Sequence, residues 1–224
     1  MPIDRQKYFD AIRKAPFGGK LNQDQVDGNN YLLEYWEGLW EANNQDLRPL
    51  AYVLATAKWE TAHTMMPIEE YGKGSGKSYG AKDPETGQTY YGRGYVQLTW
   101  RDNYSRATAK LGLVEEDDLE WFAARALDPV IARQVIFEGM KEGWFTSKML
   151  NQYFNASKDD PKNARQIVNG NDCDTQIADI HKQFLTALKG AYGAKVPEGE
   201  DQTYTVSVTI ERGKGITDKS ITKG

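Results

Sequence analysis

A glycine-rich segment of 24 residues interrupts a chain that otherwise shows helical periodicity. Residues 71–94, YGKGSGKSYGAKDPETGQTYYGRG, contain seven glycines and one proline. Glycine at this density weakens both helices and strands, so we predict a long loop or a short hairpin here. Because long loops inside compact domains tend to carry function, this segment is a first candidate for a functional site.

The sequence on both sides of this segment predicts helices, because apolar residues recur there at helical spacing. The predicted helices cover residues 4–13, 23–39, 47 to about 66, 102–111, 119–126, 129–142, 146–154, 161–168 and 175–188. Asp46 and Asp128 are predicted N-caps, and Pro129 is typical of a first helical residue. Pro67 is predicted to end the third helix, since proline lacks an amide and clashes with the preceding turn. The predicted fold class is therefore mainly α.

The pattern changes after Gly193. Residues 203–210, TYTVSVTI, alternate apolar and hydroxyl side chains, which is typical of a strand. We therefore divide the chain into a helical body, residues 1–194, and a strand-like C-terminal appendage, residues 195–224.

The charge balance argues against a nucleic-acid partner. The chain has 28 Lys and Arg against 32 Asp and Glu, a net charge of −4, and no basic cluster that could neutralise phosphates. No apolar run approaches the roughly 18 residues of a membrane span, so membrane insertion is not expected. The first residues lack the apolar stretch of a secretory signal peptide, so we expect synthesis in the cytoplasm.

Metal and nucleophile chemistry find little support. Glu60 and His63 form a Glu-x-x-His pair, which is half of a di-iron motif, but the only other histidine, His181, has no such partner. Two histidines and one cysteine are also too few for a typical zinc site. The single cysteine, Cys173, excludes an intramolecular disulfide, and its acidic neighbours would raise the pKa of a thiol. We therefore predict no metal site and no cofactor.

Paired carboxylates remain as candidates. The stretch KWETAHTMMPIEEYG, residues 58–72, contains Glu60, Glu69 and Glu70. A straight helix would separate the first from the last by about 15 Å, whereas the two carboxylates of an inverting glycosidase lie about 6.5–9.5 Å apart. A chain break at Pro67 is what would bring them together. If Glu60 is partly buried near Trp59, its raised pKa suits a general acid; the alternative is an exposed glutamate on the solvent face of the helix.

Three segments resemble glycoside hydrolase family 19, which comprises chitinases and related phage endolysins. They are KWETAH at residues 58–63, YYGRGYVQLTW at 90–100 and ARQIVNG at 164–170. The similarity is greatest to the bacterial and phage branch and spans about residues 8–190. It implies a mainly α, lysozyme-like fold of two helical lobes with the glycine-rich loop or small hairpin at the cleft, and it makes residues 1–194 the catalytic domain.

The resemblance also implies the roles of individual residues. Glu60 corresponds to the general acid, Glu70 or Glu69 to the base with Glu70 preferred, and Thr99 to the residue that helps to hold the attacking water. Arg93 is either a buried brace for a carboxylate or a contact for the substrate, and we favour the brace. The residues that correspond to the lining of the sugar groove are Tyr91, Gln97, Asn103 and Asn169.

The implied reaction is hydrolysis, with inversion, of β-1,4 bonds in an N-acetylglucosamine-containing polymer. Secreted plant members carry signal peptides and disulfides that this chain lacks, so we expect an endolysin-like enzyme that acts on cell-wall peptidoglycan after release, with chitin as the alternative substrate. A non-catalytic glycan-binding or phage structural protein is the alternative from another class. A polysaccharide is thus the expected partner, and the oligomeric state is left open.

Overall fold

Helices dominate the part of the chain that the structure describes. The computed structural model describes residues 3–40 and 46–193, and the backbone of residues 204–211 and 215–223. Its α-helices are α1 (Arg5–Lys14), α2 (Gln23–Tyr35), α3 (Leu47–Glu60), α4 (Arg101–Leu111), α5 (Pro129–Glu142) and α6 (Asp174–Ala191). The predicted mainly α class is therefore confirmed. The chain divides into two compact units, Met1–Gly193 and Ala194–Gly224.

Local sequence signals fix the starts of these helices. Asn22 caps α2, and its side chain and that of Gln25 form a reciprocal capping box. Asp46 accepts a backbone N–H at the start of α3, and Asp128 does the same for α5, which begins with Pro129. The caps predicted at Asp46 and Asp128 are confirmed.

Short predicted helices take other forms. The segment predicted as helix 23–39 continues beyond α2 as a π-helical turn, Trp36–Trp40. In the windows 119–126, 146–154 and 161–168 the helical turns are of the 3₁₀ type, at Ala123–Leu127, Leu150–Gln152 and Asn163–Ile167. An α-helix of eight or nine residues forms too few hydrogen bonds to offset the free energy of helix nucleation. A tighter 3₁₀ turn forms instead.

The largest correction concerns the end of α3. The helix ends at Glu60, seven residues before Pro67, so the prediction that the proline ends it is wrong. The Thr61 hydroxyl donates to the Ala57 carbonyl and accepts the N–H of Met65. Three of the five residues that follow Glu60 have a positive φ. The threonine thus satisfies a helix-end carbonyl and turns the chain away from the helix axis.

Two short strands close the base of the glycine-rich loop. β1 (Ile68–Glu69) pairs antiparallel with β2 (Arg93–Gly94), so that Glu69 lies opposite Arg93. The chain between them makes a series of turns and one 3₁₀ turn, Ser78–Gly80. A second antiparallel pair, β3 (Phe154–Asn155) and β4 (Lys158–Asp159), lies further along the chain. The loop predicted for residues 71–94 is therefore confirmed.

α3 lies in the core of the larger unit. Every residue from Pro49 to Lys58 is buried, and α3 contacts both α6 and α5. A helix that is buried on all sides is a core helix. Glu60 therefore sits where a rigid central helix ends. None of the described helices has the length and apolar character needed to cross a membrane.

The smaller unit contains a β-hairpin. Its strands are β5 (Tyr204–Glu211) and β6 (Gly215–Lys223), paired antiparallel from Tyr204 opposite Lys223 to Glu211 opposite Gly215. The predicted strand is confirmed over residues 204–210, and residue 203 lies outside the described residues.

A buried histidine joins α6 to α3. His181 is 2% exposed, its ring contacts the rings of Tyr52 and Phe154, and its Nε2 lies 3.2 Å from the carbonyl oxygen of Arg48. Burial lowers the pKa of His181 to about 4, because the imidazolium loses its hydration.

This histidine should make the fold sensitive to mild acid. The pKa of His181 is lower in the folded than in the unfolded chain, so its neutral form stabilises the fold above about pH 6.5 and that stability is lost as the pH falls towards 4. Chemical unfolding should show a decrease of about 2 kcal/mol between about pH 6.5 and about pH 4.5. His181→Gln should remove most of this slope, whereas His63→Gln, at an exposed site, should retain most of it. A full slope in His181→Gln would contradict the assignment.

Candidate active site

Glu60, the last residue of α3, is mostly buried and paired with an arginine. Its side chain is 16% exposed, and its Oε1 lies 2.5 Å from Nη1 of Arg165. Arg165 is itself 3% exposed and donates from Nε to the carbonyl of Asp172. Because both charges leave water together, the pair fixes the orientation of the Glu60 carboxylate. Of the two alternatives that the sequence leaves open for Glu60, a partly buried or an exposed glutamate, the structure has the partly buried one, and its partner is a cation.

Arg165 is a site residue for which the sequence motifs predict no role. The residue lies in ARQIVNG, between the buried side chains of Ala164 and Ile167. A basic residue at a core position was the available signal, since a buried cation requires an anion. The N–H of Asn169, a predicted groove residue, donates to the carbonyl of Arg165 at 3.0 Å. Asn169 is exposed, so it lies at the surface beside the Glu60–Arg165 pair.

Glu69 lies among three donors. Tyr91 Oη donates to its Oε1 at 2.6 Å, Lys73 Nζ lies 2.6 Å from its Oε2, and Arg93 Nε lies 3.9 Å from Oε1. The bonds from Lys73 and then Tyr91 lower the pKa of Glu69 below its usual value. The side chain is therefore anionic at neutral pH, which is the state that a general base requires.

Arg93 holds this side of the loop together. It is buried, and its guanidinium lies 3.6 Å from the centre of the Tyr91 ring. Its Nη1 donates to the carbonyl of Thr89 and to the hydroxyl of Tyr104. Arg93 is thus the buried brace that the sequence predicts, and the carboxylate near it is Glu69.

Glu70 faces the other way. Successive residues of a strand point to opposite faces, and Glu70 continues the ladder through its N–H, which donates to the carbonyl of Gly92 at 2.7 Å. Its Oε1 accepts the Tyr79 hydroxyl at 3.0 Å, and its Oε2 accepts the N–H of Gly92 at 3.1 Å. Both carboxylate oxygens therefore join parts of the loop to each other.

Three further predicted residues form one hydrogen-bonded run beside β1. Gln97 Nε2 donates to the Ile68 carbonyl at 3.3 Å, Thr99 Oγ1 donates to the Gln97 carbonyl at 2.8 Å, and Asn103 Nδ2 donates to the Thr99 carbonyl at 2.7 Å. A Cβ at Gly92 would lie 2.8 Å from Gln97 Oε1, so a larger residue at that position would displace the Gln97 side chain.

The predicted residues thus form two groups. Tyr91 lies with Glu69, and the run from Gln97 to Asn103 adjoins β1, whereas the backbone of Asn169 bonds to that of Arg165, the partner of Glu60. Within the described residues, Glu60 and Glu69 share no hydrogen-bond or ion-pair partner. The same part of the chain contains no group of three His, Cys, Asp or Glu side chains placed to bind a metal ion.

Comparison with known proteins identifies similar structures. No protein-family model and no curated protein matches the sequence. Chitinase C from Streptomyces griseus HUT6037 matches with a TM-score of 0.50 at 20% identity, over 84% of this chain and 92% of that chain. This chain has the fold of chitinase C.

Two further chitinases were found, with lower TM-scores. The class IV chitinase of family GH19 from Zea mays gives a TM-score of 0.48 at 18% identity, over 81% of this chain and 90% of that chain. A bacterial family 19 chitinase gives 0.44 at 17% identity, over 83% and 94%. Structures of family 19 chitinases are among those similar to this chain. The mainly α fold is confirmed by its own helices and by the likeness to chitinase C.

Removing Arg165 should cost more stability than removing an arginine from an exposed ion pair. Arg165→Met would leave the carboxylate of Glu60 without its partner, at a cost of about 3 kcal/mol in the free energy of unfolding. The matched control is Arg125→Met, which removes an arginine from an exposed pair with Asp117 and should cost less than about 1 kcal/mol.

Urea unfolding of the double variant Glu60→Gln/Arg165→Met completes this test. Because no charge is then left unpaired, the double variant should be more stable than Arg165→Met alone. If the loss in the free energy of unfolding of the double variant equals the sum of the losses of Glu60→Gln and Arg165→Met, a direct interaction between the two side chains is contradicted.

Proposed function

We propose that the protein is a glycoside hydrolase that cleaves β-1,4 bonds of N-acetylglucosamine-containing polymers with inversion. The observation that carries this proposal is the contrast between two glutamates on a chitinase-like fold. Glu60 lies at the end of a core helix against a buried arginine, and Glu69 is held as an anion by Tyr91 and Lys73. Two carboxylates in different environments are what an acid and a base require.

Glu60 acts as the general acid in this proposal. It takes up a proton from solvent with the substrate bound and donates that proton to the glycosidic oxygen as the bond to the anomeric carbon breaks. Glu60 then returns to the carboxylate form that is paired with Arg165 in the free protein. The guanidinium of Arg165, 2.5 Å from Oε1, stabilises the charge that forms in this step. Charge that develops during the reaction is stabilised best by groups that are already in place.

Glu69 acts as the base, although the resemblance to the family favoured Glu70. Its side chain is 32% exposed, so water can reach it, and a lowered pKa keeps it deprotonated. The oxygens of Glu70 are instead engaged with Tyr79 and Gly92. Glu69 takes a proton from a water that Thr99 helps to hold, and the water oxygen attacks the anomeric carbon opposite to the leaving group.

The substrate-binding roles follow the same motif correspondence. Neutral amides can hydrogen-bond N-acetyl and hydroxyl groups without adding charge, and we assign this task to Gln97, Asn103 and Asn169, with Tyr91 beside the base. We propose peptidoglycan as the polymer, because the motifs match the bacterial and phage branch. The chitinase neighbours support chitin as the second candidate, since both polymers share a β-1,4 N-acetylhexosamine backbone.

Two assays run side by side test the proposal. Clearing of a turbid peptidoglycan suspension is compared with release of reducing ends from chitin oligosaccharides. An enzyme hydrolyses at least one of the two substrates. The rival, a glycan-binding or phage structural protein, would bind a polymer without releasing new ends, and that outcome would overturn the proposal.

Replacing the acid should abolish turnover without unfolding the protein. Glu60→Gln retains the shape of the side chain and a hydrogen bond to Arg165 but has no proton to donate, so the rate should fall by about 10²–10⁴-fold. Glu34→Gln, at an exposed glutamate that lies 3.8 Å from Arg133, is the control and should be as active as the unaltered protein. Near-normal lysis by Glu60→Gln would contradict its role.

The two candidate bases should respond differently to substitution. Glu69→Gln should lower kcat by about 10²–10⁴-fold, whereas Glu70→Gln should lower the free energy of unfolding by about 1 kcal/mol and leave most of kcat. Because the pKa of Glu69 is below its usual value of 4.5, activity should persist below pH 4.5 and fall as Glu69 is protonated. The reverse pattern, with Glu70→Gln inactive, would make Glu70 the base.

A further inference from the structure

The glycine-rich loop places a lysine on the proposed base. Nζ of Lys73 lies 2.6 Å from Oε2 of Glu69, although 62% of the lysine side chain remains exposed. Tyr91 and Arg93 already contact the other oxygen of the same carboxylate. The orientation of Glu69 therefore does not depend on Lys73 alone, and the lysine is open to contact from solvent.

The backbone around Lys73 allows the lysine to move away. Lys73 has a φ of +46° and lies between two glycines. A Cβ at Gly72 would meet nothing within 4 Å, so the loop is uncrowded there. An exposed ion pair contributes little to stability, and the flexible four-carbon stem of lysine reorients easily. A second carboxylate could therefore replace Glu69 as the partner of Lys73.

The contact between Lys73 and Glu69 restrains the base. A hydrogen bond from a cation stabilises the ionised carboxylate and lowers its affinity for a proton. A weaker base accepts the proton of the attacking water less readily. Glu69 should therefore become more reactive when Lys73 moves to another anion.

We propose that Lys73 selects anionic glycans: a carboxylate of the substrate takes the place of Glu69 on Lys73 and releases Glu69 to act as base. This inference rests on the function proposed above. Peptidoglycan strands supply such carboxylates from two sources, the stem peptide and the lactyl group of N-acetylmuramic acid once its peptide has been removed. Chitin carries neither. Lys73 is therefore a positioning residue that acts through Glu69 and distinguishes the two polymers.

The same loop offers a matched control. Lys77 is also exposed and lies four residues after Lys73, but it forms no ion pair with any carboxylate of the described residues. Lys77→Gln removes the same charge from the loop without touching the base. It controls for the overall attraction between a basic loop and an anionic polymer.

The experiment measures kcat/KM on three substrates with Lys73→Gln, Lys73→Arg and Lys77→Gln. The substrates are glycan strands with stem peptides, the same strands with peptides removed, and chitin oligosaccharides of equal length. Lys73→Gln should lower kcat/KM on the anionic strands by about fivefold and raise it on chitin oligosaccharides by up to about fivefold. Lys73→Arg should restore the unaltered pattern. A loss of kcat/KM on the strands with stem peptides alone identifies the stem peptide as the source of the carboxylate, and a loss on the strands without peptides identifies the lactyl group.

A pH profile distinguishes this role from a structural one. In Lys73→Gln the acidic limb of kcat/KM on chitin oligosaccharides should move to higher pH, because Glu69 has lost the bond that lowers its pKa. Amidation of the strand carboxylates provides a measurement that needs no variant, and it should lower turnover by the unaltered protein about fivefold.

Failure of the inference on Lys73 and failure of the proposed function give different results. An equal change on all three substrates in Lys73→Gln, or equal turnover before and after amidation, would overturn the inference alone. If the unaltered protein hydrolyses none of the substrates, the proposed function is overturned as well.

Discussion

The path of the chain after Glu60 depends on one buried hydroxyl group. Thr61 is inaccessible to solvent, and its Oγ1 serves as both donor and acceptor between the end of α3 and the turn that follows. That turn brings the carbonyl of Met65 against α2, where a Cβ at Gly28 would lie 1.8 Å from it. Gly28 of α2 and Thr61 at the end of α3 thus together determine the position at which β1 begins.

The candidate site combines two cations of opposite character. Arg165 is buried and engaged on two sides, so its pairing with Glu60 is part of the folded structure. Lys73 is exposed on a loop, so its pairing with Glu69 can be exchanged. The proposed acid therefore has a fixed counter-charge, and the proposed base has one that can leave.

Structure that is determined locally can be predicted from this sequence. The caps at Asp46 and Asp128 and the full extent of α5 follow from side chains that bond to backbone within three residues, and such signals are visible in the sequence. The motif resemblance likewise predicts the mainly α fold that the structure has.

The predictions were wrong where contacts between distant parts of the chain determine the local structure. Non-glycine residues with positive φ are uncommon, and nothing local predicts them after Glu60. Gln25 of α2 stabilises this turn, because its side chain donates to the carbonyl of His63, which lies 38 residues later in the chain. The sequence also could not distinguish the roles of Glu69 and Glu70. The face of the strand pair on which each side chain lies depends on which residue pairs with Arg93.

The Glu60–Arg165 contact also sets an order of events during synthesis. Glu60 leaves the ribosome 105 residues before its partner, which corresponds to about 5–20 s of translation. During that interval α3 also lacks α6, which packs against it in the finished protein. A nascent chain therefore carries the proposed acid without its counter-charge, and the candidate site is complete only after the last third of the larger unit has been made.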